Sequence, residues 1–180
     1  MIGRVGNDDF GKRLLRHLMD AGVDAKHVYT DPEAGSGMSV AIIDAEGDYG
    51  AVIVSGANLR LSNQDLEEAR EVIRSAQVLV LQNEVLEATN VAAAQSAKNN
   101  GIRVILNAAP ARPLGPDLSA NVDLLVVNAV EAEMICGIAV TSLPAATEAA
   151  ALLSEQVANV VVTAGGVVKL AAVSPFTRPV

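Results

Sequence analysis

The 180-residue sequence has one cysteine, two histidines and 13 basic residues against 21 acidic ones. A single cysteine excludes an internal disulfide and fits a reducing cytosol. Cys136 stands just before Gly137 at the apolar end of a predicted helix, which favours a buried structural thiol over a nucleophile. His17 and His27 share no metal-ligand spacing, and both read as surface residues. A formal net charge of −8 argues against nucleic acid as a generic partner, because phosphate backbones require clustered Lys and Arg. It leaves room for small phosphates held by backbone N–H groups. No apolar run approaches the ~20 residues of a membrane span, and no basic-then-apolar leader opens the sequence, so no membrane partner and a cytoplasmic location are expected.

What the sequence does have is apolar content, 51% against 19% charged, enough for a sizeable core in one domain or most of one. "GNDDFGKRLLRHLMDAG" predicts a helix capped by Asn7 or Asp8, stopped by Gly22, with Phe10, Leu14, Leu15, Leu18 and Met19 as its apolar stripe. "SVAIIDAEGDYGAVIVSG" predicts a hairpin, with strands over 39–43 and 51–54 around a turn-forming centre. A helix follows over about 63–74. Strands then alternate with helices: Val78 to Gln82, Arg103 to Asn107, Leu124 to Asn128 and the "VVVT" run before Gly165. Helices end near Gly101, at Gly137 and near Gln156. Continuous apolar strands alternating with helices imply an α/β fold with a parallel sheet covered on both faces.

Each of those four strands ends on a polar residue: Gln82 before Asn83 and Glu84, then Asn107, Asn128 and Thr163. Open parallel sheets bind ligands beyond the carboxyl ends of their strands. Asn and Thr at strand ends can also simply cap the next helix. Four such ends in succession favour a binding edge over capping alone.

Several segments resemble the ribokinase branch of the PfkB-type carbohydrate kinases. "GRVGNDDFG" is similar to the family's Gly-x-x-Gly-x-Asp-x-x-Gly segment, and "VSGANLRLS" to its Gly-Ala-Asn segment. "LNAAPARPL" resembles Asn-Pro-Ala-Pro-Ala-Arg with Ala108 for the first proline, and "VNAVEAEMICG" matches Asn-x-x-Glu through Asn128 and Glu131. The resemblance runs from about Gly3 to Gly166. It implies one ribokinase-like domain over 1–180, a three-layer sandwich with a mostly parallel sheet, and a lid made by the hairpin segment 39–58. It also implies ATP-dependent phosphorylation of a sugar, ribose first, with Mg²⁺, and a homodimer paired through the lid. By the same resemblance Glu84 contacts sugar hydroxyls; otherwise it is a solvated carboxylate near the start of the next helix. Asn128 matches the residue near the nucleotide phosphates. Glu131 matches the carboxylate that orders Mg²⁺ and its waters, or else it stabilises its own helix N-terminus. Thr163 and Gly165 match the start of the ATP-binding loop, whose second glycine is replaced by Val168.

The family's opening strand with its sugar-binding Asn and Asp, its Gly-Gly loop, and its Asp-Thr-x-Gly-Ala-Gly-Asp segment with the general base are not found in this sequence. The expectation is a central portion of such a kinase, incomplete at both ends, with no catalytic base and no useful turnover. The alternative is a non-catalytic remnant that binds a nucleotide or a partner chain. An unrelated Rossmann-type binder is disfavoured by the lack of a Gly-x-Gly-x-x-Gly turn. Sheet and lid edges left unpaired predict self-association, so sedimentation velocity should show species larger than a monomer. A single monodisperse monomer contradicts this.

Overall fold

The structure, a computed structural model, describes residues 1–43 and 49–164, and the chain divides into two compact units. The first comprises Met1–Glu71 with Glu84–Thr89, the second Val72–Asn83 with the described residues from Asn90 on.

In the first unit β1 (Ile2–Gly6) pairs in parallel with β2 (His27–Asp31), in register from Ile2 opposite His27 to Gly6 opposite Asp31. Between them runs α1 (Asp9–Asp20), capped by Asp8, whose Oδ1 accepts from the Gly11 amide at 2.7 Å. β3 (Met38–Ile43) and β4 (Tyr49–Val54) form the antiparallel hairpin. A 3₁₀ turn (Gly56–Arg60) and α2 (Asn63–Glu68) follow, and after a break at Ala69 comes α3 (Arg70–Ser75), most of which belongs to the second unit. The single helix predicted over 63–74 is thus two short ones.

One reading needs correction here. His27 is buried, because it lies within β2 opposite Ile2, with Nδ1 3.1 Å from the Tyr29 hydroxyl; His17 is exposed. The α1 stripe does not form core: Phe10, Leu14 and Met19 are all exposed. The hairpin likewise leaves Val40, Ile42, Val52, Ile53 and Val54 in the open, apolar residues from both of its faces.

Polar groups hold the first unit together. Asp31 is 1% exposed. Its Oδ1 accepts from the amides of Glu33 at 3.0 Å and Ala34 at 2.9 Å, and its Oδ2 from Arg60 Nε at 2.8 Å and Arg4 Nη1 at 3.2 Å. Arg4 also forks onto Asp65, Nε to Oδ2 at 2.9 Å and Nη2 to Oδ1 at 2.8 Å, while Asp65 closes a capping box with Ser62. Every oxygen of the two buried carboxylates is therefore engaged, the condition under which buried charge is tolerated. Gly56 adopts φ +51°, and any Cβ there would strike Gly35 O, which accepts from the Ala57 amide at 2.8 Å. Only glycine fits.

The second unit is a four-stranded parallel sheet in the order β5 (Val78–Gln82), β6 (Arg103–Asn107), β7 (Leu124–Asn128), β8 (Val160–Thr163). Its helices are α4 (Glu87–Asn99), which starts in the first unit, α5 (Pro116–Ser119), α6 (Ala129–Cys136) and α7 (Leu143–Leu153). Val104, Leu106, Leu125, Val127, Val160 and Val162 are fully buried, as are Ala146, Ala149 and Ala150 of α7, which packs on β8. Asp123 fixes the amino ends of the strands: Oδ2 accepts from the Val104 amide at 2.8 Å, and its carbonyl from Asn159 Nδ2 at 2.8 Å. The expected covering of both sheet faces is incomplete at β5, one of the two edge strands of this sheet, where Val78 and Val80 are exposed. Cys136 is half-buried at the end of α6, less enclosed than its apolar neighbours implied.

The Ala34 amide, then the Glu33 amide and Arg60, hold the Asp31 carboxyl at about 2 instead of 3.8, against the opposing effect of burial. A folded-state value below the unfolded one gives stability that is fully present above about 3.8 and is lost as the pH falls through about 2. Calorimetric Tm should therefore drop over that window. Asp31→Asn should lower Tm at neutral pH and flatten the acid limb. An unchanged acid limb in the variant would show that Asp31 is not the group being titrated.

Candidate functional site

Parallel pairing decides where the strand-end residues stand. Gln82 is opposite Asn107, Asn107 opposite Val126, and Asn128 opposite Thr163, so in the second unit all four strands finish at one edge of the sheet. Backbone groups at that edge have run out of ladder partners, and side chains from the same residues take over. Asn90 Nδ2 donates to Gln82 O at 2.9 Å. The Asn83 amide donates to Ala109 O at 2.9 Å and its Nδ2 to Pro110 O at 3.1 Å, which pins the loop after β6 to the end of β5. Asn83 Oδ1 is buried and accepts from no described group.

Asn128 and Glu131 form a reciprocal capping box at the start of α6. Asn128 Oδ1 accepts from the Glu131 amide, and Glu131 Oε2 from the Asn128 amide, both at 2.8 Å. The asparagine ends β7 and caps α6 at once. The box engages one oxygen of Glu131. Thr163 lies opposite Asn128, and its hydroxyl donates to Val127 O at 3.4 Å. Gly165 lies outside the described residues. The structure thus brings Asn128, Glu131 and Thr163 to one place in the second unit.

Glu84 belongs to the first unit, where it is half-buried and its Oε2 accepts from Asn58 Nδ2 at 3.2 Å. Asn58 was not singled out from the sequence, although it is the third residue of the quoted Gly-Ala-Asn. Asn90 was missed as well, and Asn83 was noted only as part of the polar end of β5. Their signal is the run of amides around the end of β5.

Among the described residues no group of three or more His, Cys, Asp and Glu side chains could cage a metal ion. A lone carboxylate with one oxygen outside its capping box suits an ion that keeps most of its waters, as Mg²⁺ does, and does not build a site by itself.

Residues 1–167 match the model of the pfkB family carbohydrate kinases. The ribokinase of Mus musculus is 33% identical over 182 residues, an alignment covering 99% of this chain and 56% of that protein. The deoxyribokinase of Salmonella typhimurium is 33% identical over 167 residues, 92% of this chain and 55% of that protein. The structure of Arabidopsis thaliana ribokinase complexed with ribose and ATP superposes with a TM-score of 0.79 at 27% identity, over 91% of this chain and 54% of that one. The chain spans about half the length of the relatives it matches.

The capping box has a measurable consequence of its own. Asn128→Ala should cost about 0.5–2 kcal/mol in urea unfolding, and Asn128→Asp, which can still cap, should cost less. Equal losses in both would show that the box contributes nothing.

Proposed function

Because the chain belongs to the pfkB family of carbohydrate kinases, we propose that it forms part of an ATP-dependent sugar kinase that phosphorylates ribose. In this reading Glu84 accepts hydrogen bonds from sugar hydroxyls. Asn128, Thr163 and Gly165 bind ATP, and Glu131 orients Mg²⁺ through its waters. The observation that carries the reading is the state of Glu84. Its Oε2 is held by Asn58, so the carboxylate has a fixed place at the strand-to-helix junction after β5 and can present Oε1 to a hydroxyl. Mg²⁺ would supply charge neutralisation between the phosphates; the chain's own part is to place the carboxylate and the amide ends of α6.

The exposed apolar residues of β3 and β4 support pairing of two copies through the hairpin, and the hairpin also suits a lid that excludes water from the transfer. A single domain over 1–180 is part of the same proposal. The sequence contains no Gly-Ala-Gly-Asp segment, and no residue in it is assigned as general base.

Titration calorimetry with D-ribose and with Mg-ATP tests the assignment. Losing a charge-assisted hydrogen bond should weaken D-ribose binding by roughly 10- to 100-fold in Glu84→Gln, with Mg-ATP affinity within about twofold of wild type. Equal loss of both affinities removes the sugar role of Glu84.

A further inference from the structure

Two hydrogen bonds stitch the Glu84–Thr89 segment to the stretch that follows the hairpin. Asn58 Nδ2 donates to Glu84 Oε2 at 3.2 Å, and the Thr89 hydroxyl donates to Leu61 O at 3.0 Å in a buried position. Asn58 stands at the foot of the hairpin. β4 ends at Val54, the Asn58 amide donates to Ser55 O at 3.0 Å, and the neighbouring Ala57 amide, on a fully buried residue, donates to Gly35 O at 2.8 Å. The other foot is Gly37, the residue before β3. A Cβ on Gly37 would lie 2.7 Å from Asn58 Nδ2, 3.0 Å from Asn58 Cγ and 2.9 Å from Ser55 O. One carboxamide therefore touches Glu84 on one side and fills, on the other, the space that a side chain at the start of β3 would need.

This arrangement has a mechanical consequence. A two-stranded hairpin with both faces open has little to fix its attitude except the contacts at its two feet. Hinges of this kind absorb their change at a few residues where elements end. Asn58 is bonded to one foot, packed on the other, and tied to a carboxylate outside the hairpin.

We propose that Asn58 is a positioning residue that couples Glu84 to the β3–β4 hairpin. A ligand that bonds Glu84 Oε1 and turns the carboxylate draws Oε2 from the Asn58 side-chain carboxamide, and the packing of that carboxamide against Gly37 changes with it. The identity of that ligand as a sugar hydroxyl rests on the function proposed above; the linkage itself rests on the geometry of the first unit alone.

Amide hydrogen exchange on the full chain, without ligand, tests the coupling through a swap of partners. Asn58→Asp sets two carboxylates against each other and should speed exchange at Ala57, at residue 58 and at the paired amides of β3 and β4 by about tenfold, the effect of losing one net hydrogen bond. The double variant Asn58→Asp with Glu84→Gln restores a donor and an acceptor in reversed order and should return those amides to within about threefold of wild type. The Val104 amide in β6, far along the chain, should not change in either and serves as the control for folding. Asn58→Ser, which shortens the side chain without adding charge, should speed exchange at the same amides. Rescue by the swap supports the coupling; unchanged exchange in Asn58→Asp and Asn58→Ser, or a swap no better than Asn58→Asp alone, overturns it. If D-ribose fails to bind while the swap rescues, the sugar reading falls and the coupling stands. If D-ribose binds and the swap fails, the coupling falls and the sugar reading stands.

Discussion

Parallel strand pairing is the constraint from which the second unit follows. Strands β5 to β8 run the same way in simple sequential order, so their ends cannot alternate between two edges of the sheet. Every polar group that closes a strand is delivered to one side, where the ladder has stopped and the helices begin. At that side the chain must satisfy the last carbonyls of the strands and the first amides of the helices together. It does so with asparagines: Asn90 on Gln82 O, Asn83 on the Ala109–Pro110 stretch, and Asn128 on the start of α6. An amide both donates and accepts, which suits an edge where both carbonyls and N–H groups need partners.

The first unit meets a different constraint, close approach of backbone to backbone. Its strands are short, and one of its sheets is a bare hairpin, so apolar burial is thin. Carboxylates take up part of that role. Asp31 gathers two amides and two guanidinium groups, and Asp65 takes the fork of Arg4. Asp8 caps α1, and it also accepts from the Ser36 amide and hydroxyl, each at 2.7 Å. The Ser36 amide first, then its hydroxyl, then the Gly11 amide keep the Asp8 carboxyl below its ordinary range. Ser36 Oγ in turn accepts from the Gly6 amide at 2.9 Å, so β1, α1 and the approach to β3 share one polar junction.

The parts of this arrangement that could be read from the amino-acid sequence are those fixed by local patterning. β5 to β8 are runs of Val, Leu and Ile with polar ends, and α6 stops at Gly137 in the left-handed conformation, as a helix-stopping glycine should. β1 and β2 escaped notice because Ile2–Gly6 carries two glycines and an arginine, and His27–Asp31 mixes His, Tyr, Thr and Asp. Their strand character comes from pairing with each other and from the Arg4–Asp31 contact, which no window of adjacent residues contains. His27 was misjudged for the same reason. The exposed stripe of α1 shows the converse: periodicity announces an apolar face and does not say what covers it. Among the candidate site residues, the Asn128–Glu131 relation was visible as an i, i+3 spacing. The Asn58–Glu84 relation spans 26 positions and depends on Gly37, so spacing alone could not show it.

Under the proposed function the capping box raises a question of charge. The first amides of α6 are the natural seat for a phosphate, yet one of its first-turn residues, Glu131, already brings a carboxylate oxygen back to the Asn128 amide. A phosphate arriving there meets a negative neighbour, and the two would repel unless something positive stands between them. Under that reading Glu131, through the oxygen outside its capping box, would hold a hydrated divalent ion, which would supply the missing positive charge.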